Sequence, residues 1–322
     1  MLTILLRALP LRWILFLWLF IILLTCRSEA QFKGDHIPGF IGLSSGTEAP
    51  PGVYLGNLVW VYPTDTIKDN GGNSIHLPAG LTSTADIILV SAVTNYKLLG
   101  GNVGGSVAFP FIKNRLQSNS LDVNTGFAWT DMFASAQLGW SFKHADVTAI
   151  YNLYMPTGRY SPGATDNTGL GMWASEPAIG TTVYLDKKRM WNAAAMFSLE
   201  FNTTDKTGTN IHVGDLGTIE GGFGKTFYKK VSGPIPMITN IGVAGYSQFK
   251  ITGDSGSDIP VPLQGLKDRV FALGPEFNTY IPKPRLTFLV RYEPEFAARN
   301  RLDGQTILIS VAWVAKSLMK HP

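Results

Sequence analysis

Residues 286–296, LTFLVRYEPEF, alternate apolar and polar positions with a period of two residues. Because side chains point alternately to opposite faces of a strand, this segment has one apolar face and, with Arg285, one charged face. A soluble sandwich buries the apolar face, whereas a membrane barrel turns it to lipid and lines its lumen with the polar face. This strand by itself fits both folds.

The same alternation recurs along the chain and predicts twelve strands. It is clearest in residues 132–142, 145–155, 190–202 and 304–314. Less regular runs complete the set, at 52–67, 84–98, 102–113, 172–186, 213–229, 237–251, 267–281 and 284–297. An even number of strands is typical of single-chain outer-membrane barrels.

The connections between these strands differ in length. Tight links at Lys143, at 186–189 and at 282–284 contrast with long polar stretches at 64–83, 157–171, 202–212 and 252–266. Short turns on one rim and long loops on the other are the barrel pattern, and Trp and Tyr side chains cluster near strand ends as they do at membrane interfaces. The sequence therefore predicts an all-β fold, a transmembrane antiparallel β-barrel of about 12 strands.

The N-terminus predicts export. Residues 1–30 combine Arg7 and Arg12, an apolar run from Trp13 to Cys26, and the small-residue site Ser28-Glu29-Ala30, which is the layout of a cleaved secretory signal peptide. The apolar run is shorter than the roughly 20 residues that span a bilayer. Lipidation of Cys26 is the minority interpretation, since Thr25 and Arg27 fit a lipoprotein site poorly.

Four regions follow from this division. They are the signal peptide (1–30), an irregular N-terminal segment that is either a periplasmic lead or a plug in the lumen (31–51), the barrel (52–316) and a C-terminal tail (317–322). Many outer-membrane barrels end on an aromatic residue that the barrel assembly machinery reads, but here Trp313 is followed by VAKSLMKHP. The assembly signal therefore departs from the common pattern.

Composition narrows the possible functions. The chain has 34 Gly, 18 Phe and only 16% charged residues, which suits many strands joined by turns. Loss of residues 1–30 lowers the formal net charge from +4 to about +2, so we expect no nucleic-acid partner. It also removes the single cysteine, which leaves no disulfide and no thiolate metal site.

Two stretches resemble a known family. The runs GTEAPPGVYLGNLVWVYPTD (46–65) and MPTGRYSPGATDNTGLGMWASEP (155–177) are similar to the P-P-G-x-Y and P-T-G-x-Y blocks of the phenol meta-pathway (MetA) family of outer-membrane transporters. The resemblance extends from about Gly39 to Trp313. It implies passive outer-membrane uptake of small hydrophobic compounds, aromatic ones included, and it transfers no individual binding residue.

The barrel hypothesis places two sets of side chains in the lumen. The first is a charged belt that forms either structural cross-strand pairs or a selectivity constriction: Arg285, Arg291, Glu293, Glu295, Glu276, Glu200 and Lys250. The second set would contact the cargo: Arg159 and Tyr160 from a loop at the pore mouth, with Tyr54, Tyr154, Tyr246 and Tyr280 from the strands. A register slip of one residue would turn each strand residue to lipid.

Other function classes find less support. A membrane-embedded hydrolase needs Ser, His and an acid together, and the only hint is Ser141, His144 and Asp146, without a Gly-x-Ser-x-Gly motif. A structural or adhesive barrel without a continuous pore stays open as an alternative. We expect no enzyme activity, no cofactor and no metal site; the expected partners are the solute, outer-membrane lipid and the assembly machinery. The sequence leaves the oligomeric state open.

Overall fold

The computed structural model describes residues 34–119, 122–231, 233, 235–259 and 263–319. The expected signal peptide and Cys26 lie outside these residues. The strands are β1 (Gly52–Lys68), β2 (Ser74–Leu98), β3 (Gly101–Gln117), β4 (Asp122–Asn124), β5 (Ala128–Trp129), β6 (Met132–Ser141), β7 (Ala145–Met155), β8 (Ala174–Tyr184), β9 (Trp191–Asn202), β10 (Leu216–Lys229), β11 (Met237–Lys250), β12 (Arg269–Ile281), β13 (Leu286–Arg299), β14 (Arg301–Asp303) and β15 (Gln305–Ser317).

Twelve long strands form a closed antiparallel barrel. Each long strand pairs with its neighbours in sequence, except that β4, β5 and β14 are short additions beside β3 and β1. The barrel closes where β1 pairs with β15 on one side and β2 on the other, with Gly52 opposite both Ser317 and Val93. The predicted fold and strand number are confirmed. In the described residues, no helix is long and apolar enough to cross a membrane.

The two faces of LTFLVRYEPEF are assigned by this closure. Arg291 and Glu293 of β13 are buried inside the barrel, while Phe288 and Phe296 are exposed on its outer face. Strand β12 repeats the arrangement, with Glu276 inside and Phe271, Leu273 and other apolar residues outside. The outer row of β12 from Phe271 to Ile281 is apolar except for Thr279, and at ordinary strand rise and tilt it covers about 25 Å. The apolar face is therefore the outer face of the barrel, an arrangement typical of outer-membrane barrels.

The two rims differ as the turn lengths predicted, with one exception. Residues 64–83 were expected to be a long loop, but β1 continues to Lys68 and β2 begins at Ser74. The turn between them is tight, because Asp69 accepts the backbone N–H of Asn73 at 2.8 Å and Gly72 adopts φ +86°. The residues are polar because this hairpin extends beyond the lipid belt, where a strand needs no apolar row.

Candidate functional site

Residues 34–51, which directly precede β1, lie inside the barrel. We call them the lumenal segment. It enters at the short-turn rim, where Thr47 Oγ1 contacts Asp146 Oδ2 at 3.3 Å. It ends near the long-loop rim, where the backbone N–H of Asp35 donates to Glu200 Oε1 at 2.7 Å. The segment therefore runs along the lumen for most of its length.

Buried carboxylates of the barrel wall hold the backbone of this segment. Each carboxylate accepts N–H groups that would otherwise lack a partner, since the segment joins no strand ladder. Glu200 accepts from Asp35 and His36 at 2.7 and 3.0 Å, Glu220 from Gly39 and Phe40 at 2.5 and 3.1 Å, and Glu276 from Leu43 at 3.1 Å. Three carboxylates of the lumen thus bind the segment's backbone at successive positions from Asp35 to Leu43.

His36 of the lumenal segment lies between two carboxylates of the barrel wall. Its Nδ1 lies 3.0 Å from Glu176 Oε1 and its Nε2 lies 3.6 Å from Glu220 Oε1. Burial alone lowers the pKa of His36, but these two carboxylates outweigh it, so the pKa lies well above its ordinary value. His36 therefore carries a positive charge that compensates the carboxylates around it.

For the neighbouring Asp35 the pKa shift has the same direction but a different cause. Burial and the negative charges of Glu200 and Asp131 raise the pKa of the Asp35 carboxyl well above its ordinary value. Both residues of this pair consequently hold protons more firmly in the lumen than in water.

A buried ion pair joins the segment to the middle of the barrel. Arg291 on β13 contacts Glu276 on β12, with Nη2 and Nε at 2.7 and 2.9 Å from the same carboxylate oxygen. The remaining guanidinium nitrogen donates to the backbone oxygen of Gly39. Gly39 itself adopts φ +84°, and a side chain there would collide with Glu293. The ion pair and the segment therefore fit each other closely.

The opposite wall of the lumen is apolar. It is built by inward side chains of β1, β2, β3 and β6, against which Ile37 and Phe40 of the lumenal segment pack. We call this the apolar wall; its members are Leu58, Trp60, Ala85, Ile87, Leu89, Ala108, Ile112 and Phe133. The Phe40 ring meets the Phe133 ring edge to face at a centroid distance of 6.2 Å. The lumen thus has one charged side and one apolar, aromatic side.

Glycine allows the segment to approach the wall at the short-turn half of the lumen. A Cβ at Gly180 of β8 would collide with the backbone oxygen of Ser45. Gly46 donates its N–H to Thr182 Oγ1 at 3.0 Å two residues along the same strand. The absence of a side chain at position 180 therefore makes room for the backbone of the segment.

The structure places most of the predicted belt in the lumen. Glu200, Glu276, Arg291 and Glu293 are buried there. Arg291 pairs with Glu276 on the neighbouring strand and not with Glu293. This contact is of the structural cross-strand kind that was one of the two predicted alternatives. Arg285 does not belong to the belt: it is exposed in the turn after β12 with φ +57°, because the strand begins only at Leu286.

Two further belt residues are bound near the long-loop rim. Glu295 accepts from Tyr62 Oη, Tyr246 Oη and the Gly304 N–H at 2.5, 2.9 and 2.8 Å. Lys250 is buried and its Nζ lies 2.7 Å from Asp254 Oδ1. These charges lie at different heights in the barrel and form no continuous ring. Arg291 and Lys250 are in ion pairs, whereas Glu200 and Glu295 accept hydrogen bonds from uncharged groups.

The predicted cargo contacts divide into three groups. Tyr154 is buried against Phe133, with ring centroids 5.5 Å apart, and Tyr246 lies on the charged side beside Glu295. Tyr54 and Tyr280 are half-buried near the short-turn rim, where Tyr54 Oη donates to the oxygen of Pro50.

The loop residues Arg159 and Tyr160 contact their own loop region. Arg159 is exposed and binds Asp166, with Nε 3.2 Å from Oδ2. Lys206 Nζ lies 4.6 Å from the centre of the Tyr160 ring. Whether either residue meets a solute stays a prediction.

Sequence reasoning missed the residues that bind the lumenal segment. Glu176 and Glu220 each stand alone on the inward row of a strand, a signal that could have been read once the registers were known. Glycines at 221, 222 and 224 obscured the alternation of β10. His36 gave no local signal, because it lies outside any periodic run.

The hydrolase hint does not assemble. Ser141 Oγ donates to Asp146 Oδ1 at 2.6 Å, and Asp146 also accepts from Tyr184 Oη at the same distance. The exposed His144 side chain has no hydrogen bond to Ser141 or Asp146 among the described contacts. Nor do the described residues contain a group of three or more His, Cys, Asp or Glu placed to hold a metal ion.

Comparison with known proteins supplies a family and a fold. The family model described as "Putative MetA-pathway of phenol degradation" matches residues 64–311. An outer membrane channel from Pseudomonas putida F1 is similar in structure, with a TM-score of 0.68 and 13% identity over 87% of this chain and 99% of that one.

Two other solved barrels show weaker likeness, and no curated protein matches the sequence. The beta domain of the Bordetella autotransporter BrkA has a TM-score of 0.46 and 10% identity over 82% of this chain and 99% of that one. The CymD monoaromatic hydrocarbon channel has a TM-score of 0.40 and 11% identity over 85% and 90%. Only the likeness to the Pseudomonas putida channel is strong enough to support a shared fold.

Proposed function

Since this chain belongs to the family described as "Putative MetA-pathway of phenol degradation", we propose that it is an outer-membrane channel for passive uptake of small hydrophobic, aromatic compounds. The resemblance seen in residues 155–177 is confirmed by that match. We further propose that the lumenal segment closes the channel at rest and that its displacement opens a path along the apolar wall.

The apolar wall is the observation that carries this proposal. A path for ions gains nothing from Phe133 and its aliphatic neighbours in the lumen, since a hydrocarbon surface cannot replace the hydration shell of an ion. An aromatic solute would bury its rings against them and gain edge-to-face contacts. Phe40 already makes such a contact, because its ring lies edge to face against the Phe133 ring. The Phe40 ring thus occupies the position that an aromatic cargo would take.

The charged side of the lumen has a different role in this proposal. Glu200, Glu220 and Glu276 bind backbone N–H groups, which any peptide segment offers. When the segment leaves, water replaces those N–H donors, so the exchange of hydrogen bonds is nearly balanced. The net cost of opening then comes mainly from the apolar side chains of the segment: Leu43, which is fully buried, and Ile37 and Phe40, which pack against the apolar wall. This makes closure reversible without an energy source.

Flux measurements test the function directly. The refolded protein in phosphatidylcholine liposomes should pass phenol or benzyl alcohol faster than an aliphatic alcohol of equal size, and both faster than a sugar, with little ion current. The Phe133→Ser variant should lose the preference for the aromatic solute, because the wall loses a ring. Equal rates for aromatic and aliphatic solutes in the native protein would contradict an aromatic cargo. A barrel that passes no solute would support the structural alternative.

We propose no catalytic role. The solved structure of similar fold is a channel, and Asp146 is engaged by Ser141 and Tyr184. Contacts with outer-membrane lipid and with the assembly machinery follow from the location that we propose.

A further inference from the structure

Two arginines face each other on the outside of the barrel. Arg269 of β12 lies directly opposite Arg299 of β13 in the strand register. Both side chains are exposed on the outer face. Directly opposed residues in an antiparallel pair have Cα atoms about 5 Å apart, so the two positive charges repel each other. A pairing of this kind destabilises the edge of the barrel unless an anion lies between the charges.

The chain provides no such anion in its described part. Among the ion pairs of the described residues, other cations near this rim are matched: Lys68 with Asp303 at 3.2 Å and Arg301 with Asp268 at 3.4 Å. No ion pair or hydrogen bond of the Arg269 or Arg299 side chain appears among these contacts. Asp268, the nearest carboxylate in sequence, is engaged by Arg301. A third cation, Lys267, is exposed beside them.

The height of the pair in the membrane identifies the missing partner. Directly below it, Phe271 and Phe296 stack with ring centroids 6.0 Å apart and are exposed to the exterior. Below these rings the outward residues of both strands are mostly apolar down to the opposite rim, as with Leu273 and Phe277. The arginines are therefore the first outward residues beyond the lipid belt, at the level where headgroups lie.

We propose that Arg269 and Arg299, with Lys267, bind the phosphate group of a membrane lipid at the long-loop rim. Long loops face the cell exterior in outer-membrane barrels, so the lipid is a phosphorylated glycolipid of the outer leaflet. Two guanidinium forks can each donate two hydrogen bonds to phosphate oxygens, which a lysine ammonium cannot do in the same geometry. The acyl chains lie against Phe271, Phe296 and Leu273.

Native mass spectrometry of the detergent-solubilised barrel tests this site. The probe is diphosphoryl lipid A added to mixed micelles, and the test variant is Arg269→Gln with Arg299→Gln. The control variant is Lys187→Gln with Lys188→Gln, which removes two exposed charges from a tight turn at the opposite rim. We expect the bound fraction to fall at least tenfold in the arginine variant and to stay unchanged in the control. Heat-dependent gel migration shows that each variant is folded.

Further measurements distinguish binding of the lipid from binding of a free anion, and the effect of positive charge from that of guanidinium geometry. Lipid A without phosphate groups should bind the native protein weakly. Its binding should be no stronger than that of diphosphoryl lipid A to the Arg269→Gln, Arg299→Gln variant. Millimolar inorganic phosphate should not displace the lipid, because inorganic phosphate has no acyl chains to contact Phe271 and Phe296. Arg269→Lys with Arg299→Lys should bind at an intermediate level. Equal binding of lipid A by the native protein and the glutamine variant, or ready displacement by inorganic phosphate, would overturn the proposal.

Discussion

Truncation of Phe40 gives the sharpest perturbation of the closed channel. Phe40 lies in the lumenal segment, is half-buried against the apolar wall and contacts Phe133 edge to face. Its backbone N–H donates to Glu220, a contact that Phe40→Ala preserves. The variant therefore weakens the apolar half of the closure and leaves the carboxylate contacts in place.

The magnitude follows from the buried surface. Full burial of a Phe side chain is worth about 1.5 to 3 kcal/mol, and an aromatic pair adds about 1 kcal/mol. With Phe40 half-buried, its truncation should weaken closure by about 2 kcal/mol. Since each 1.4 kcal/mol is a factor of ten, the population of open channels should rise about thirtyfold.

The assay is solute flux into liposomes that contain equal amounts of folded protein. Phe40→Ala should raise the rate for phenol by roughly the same factor until the open state dominates. The matched control is Phe288→Ala, which removes a lipid-facing ring from β13 and should leave flux unchanged. If flux through Phe40→Ala equals that of the native protein, the segment does not limit passage and the reasoning is wrong.

Further predictions address the charged side of the lumen and its loops. Closure should weaken as pH rises, because His36 and Asp35 both have raised pKa values when docked and the closed state therefore binds more protons than the open one. The stabilisation from His36 is complete below the free His pKa of about 6.5 and is lost as pH rises through its higher pKa in the closed state. Flux measured between pH 6 and 9 should therefore increase, and His36→Gln should flatten that profile; a decrease would contradict the assigned charges of Glu176 and Glu220 around His36. Arg291→Ala leaves the buried Glu276 uncompensated and should destabilise the barrel by about 3 to 5 kcal/mol, which lowers the temperature of the heat-dependent shift in gel migration. Arg291→Met with Glu276→Gln should recover much of the lost stability. If Arg291→Ala alone were stable, the ion pair would be a dispensable gate. Replacing Arg159 and Tyr160 with Ala tests the pore-mouth hypothesis, and an unchanged phenol rate would remove this loop from the cargo path.

The strands were predictable because lipid imposes a strict period on them. Along β13, Phe288 and Phe296 must face lipid while Arg291 and Glu293 cannot, so a one-residue slip is excluded and the faces can be read from sequence. The extension of β1 and β2 beyond the lipid belt was not readable, since Thr66 and His76 obey no such constraint. The fold therefore follows from the membrane-spanning part of the pattern.

The lumenal segment was not predictable in the same way. Its backbone N–H groups bind side chains of four different strands instead of a ladder, so residues 34–51 carry no period. Their partners, such as Glu200 and Glu276, look like ordinary inward residues until the barrel is closed. The positions of Arg291 and Glu276 as cross-strand neighbours followed from register, but the contact of Arg291 with Gly39 requires the tertiary structure.

The central claim is that the lumenal segment closes a path for aromatic solutes. The most direct measurement compares phenol flux through liposomes containing the native protein with flux through a variant that lacks residues 34–48, after both are shown to be folded. The account predicts a large increase in phenol flux and a smaller one for a sugar of similar size, because the apolar wall remains. Equal phenol flux in the two proteins would contradict it.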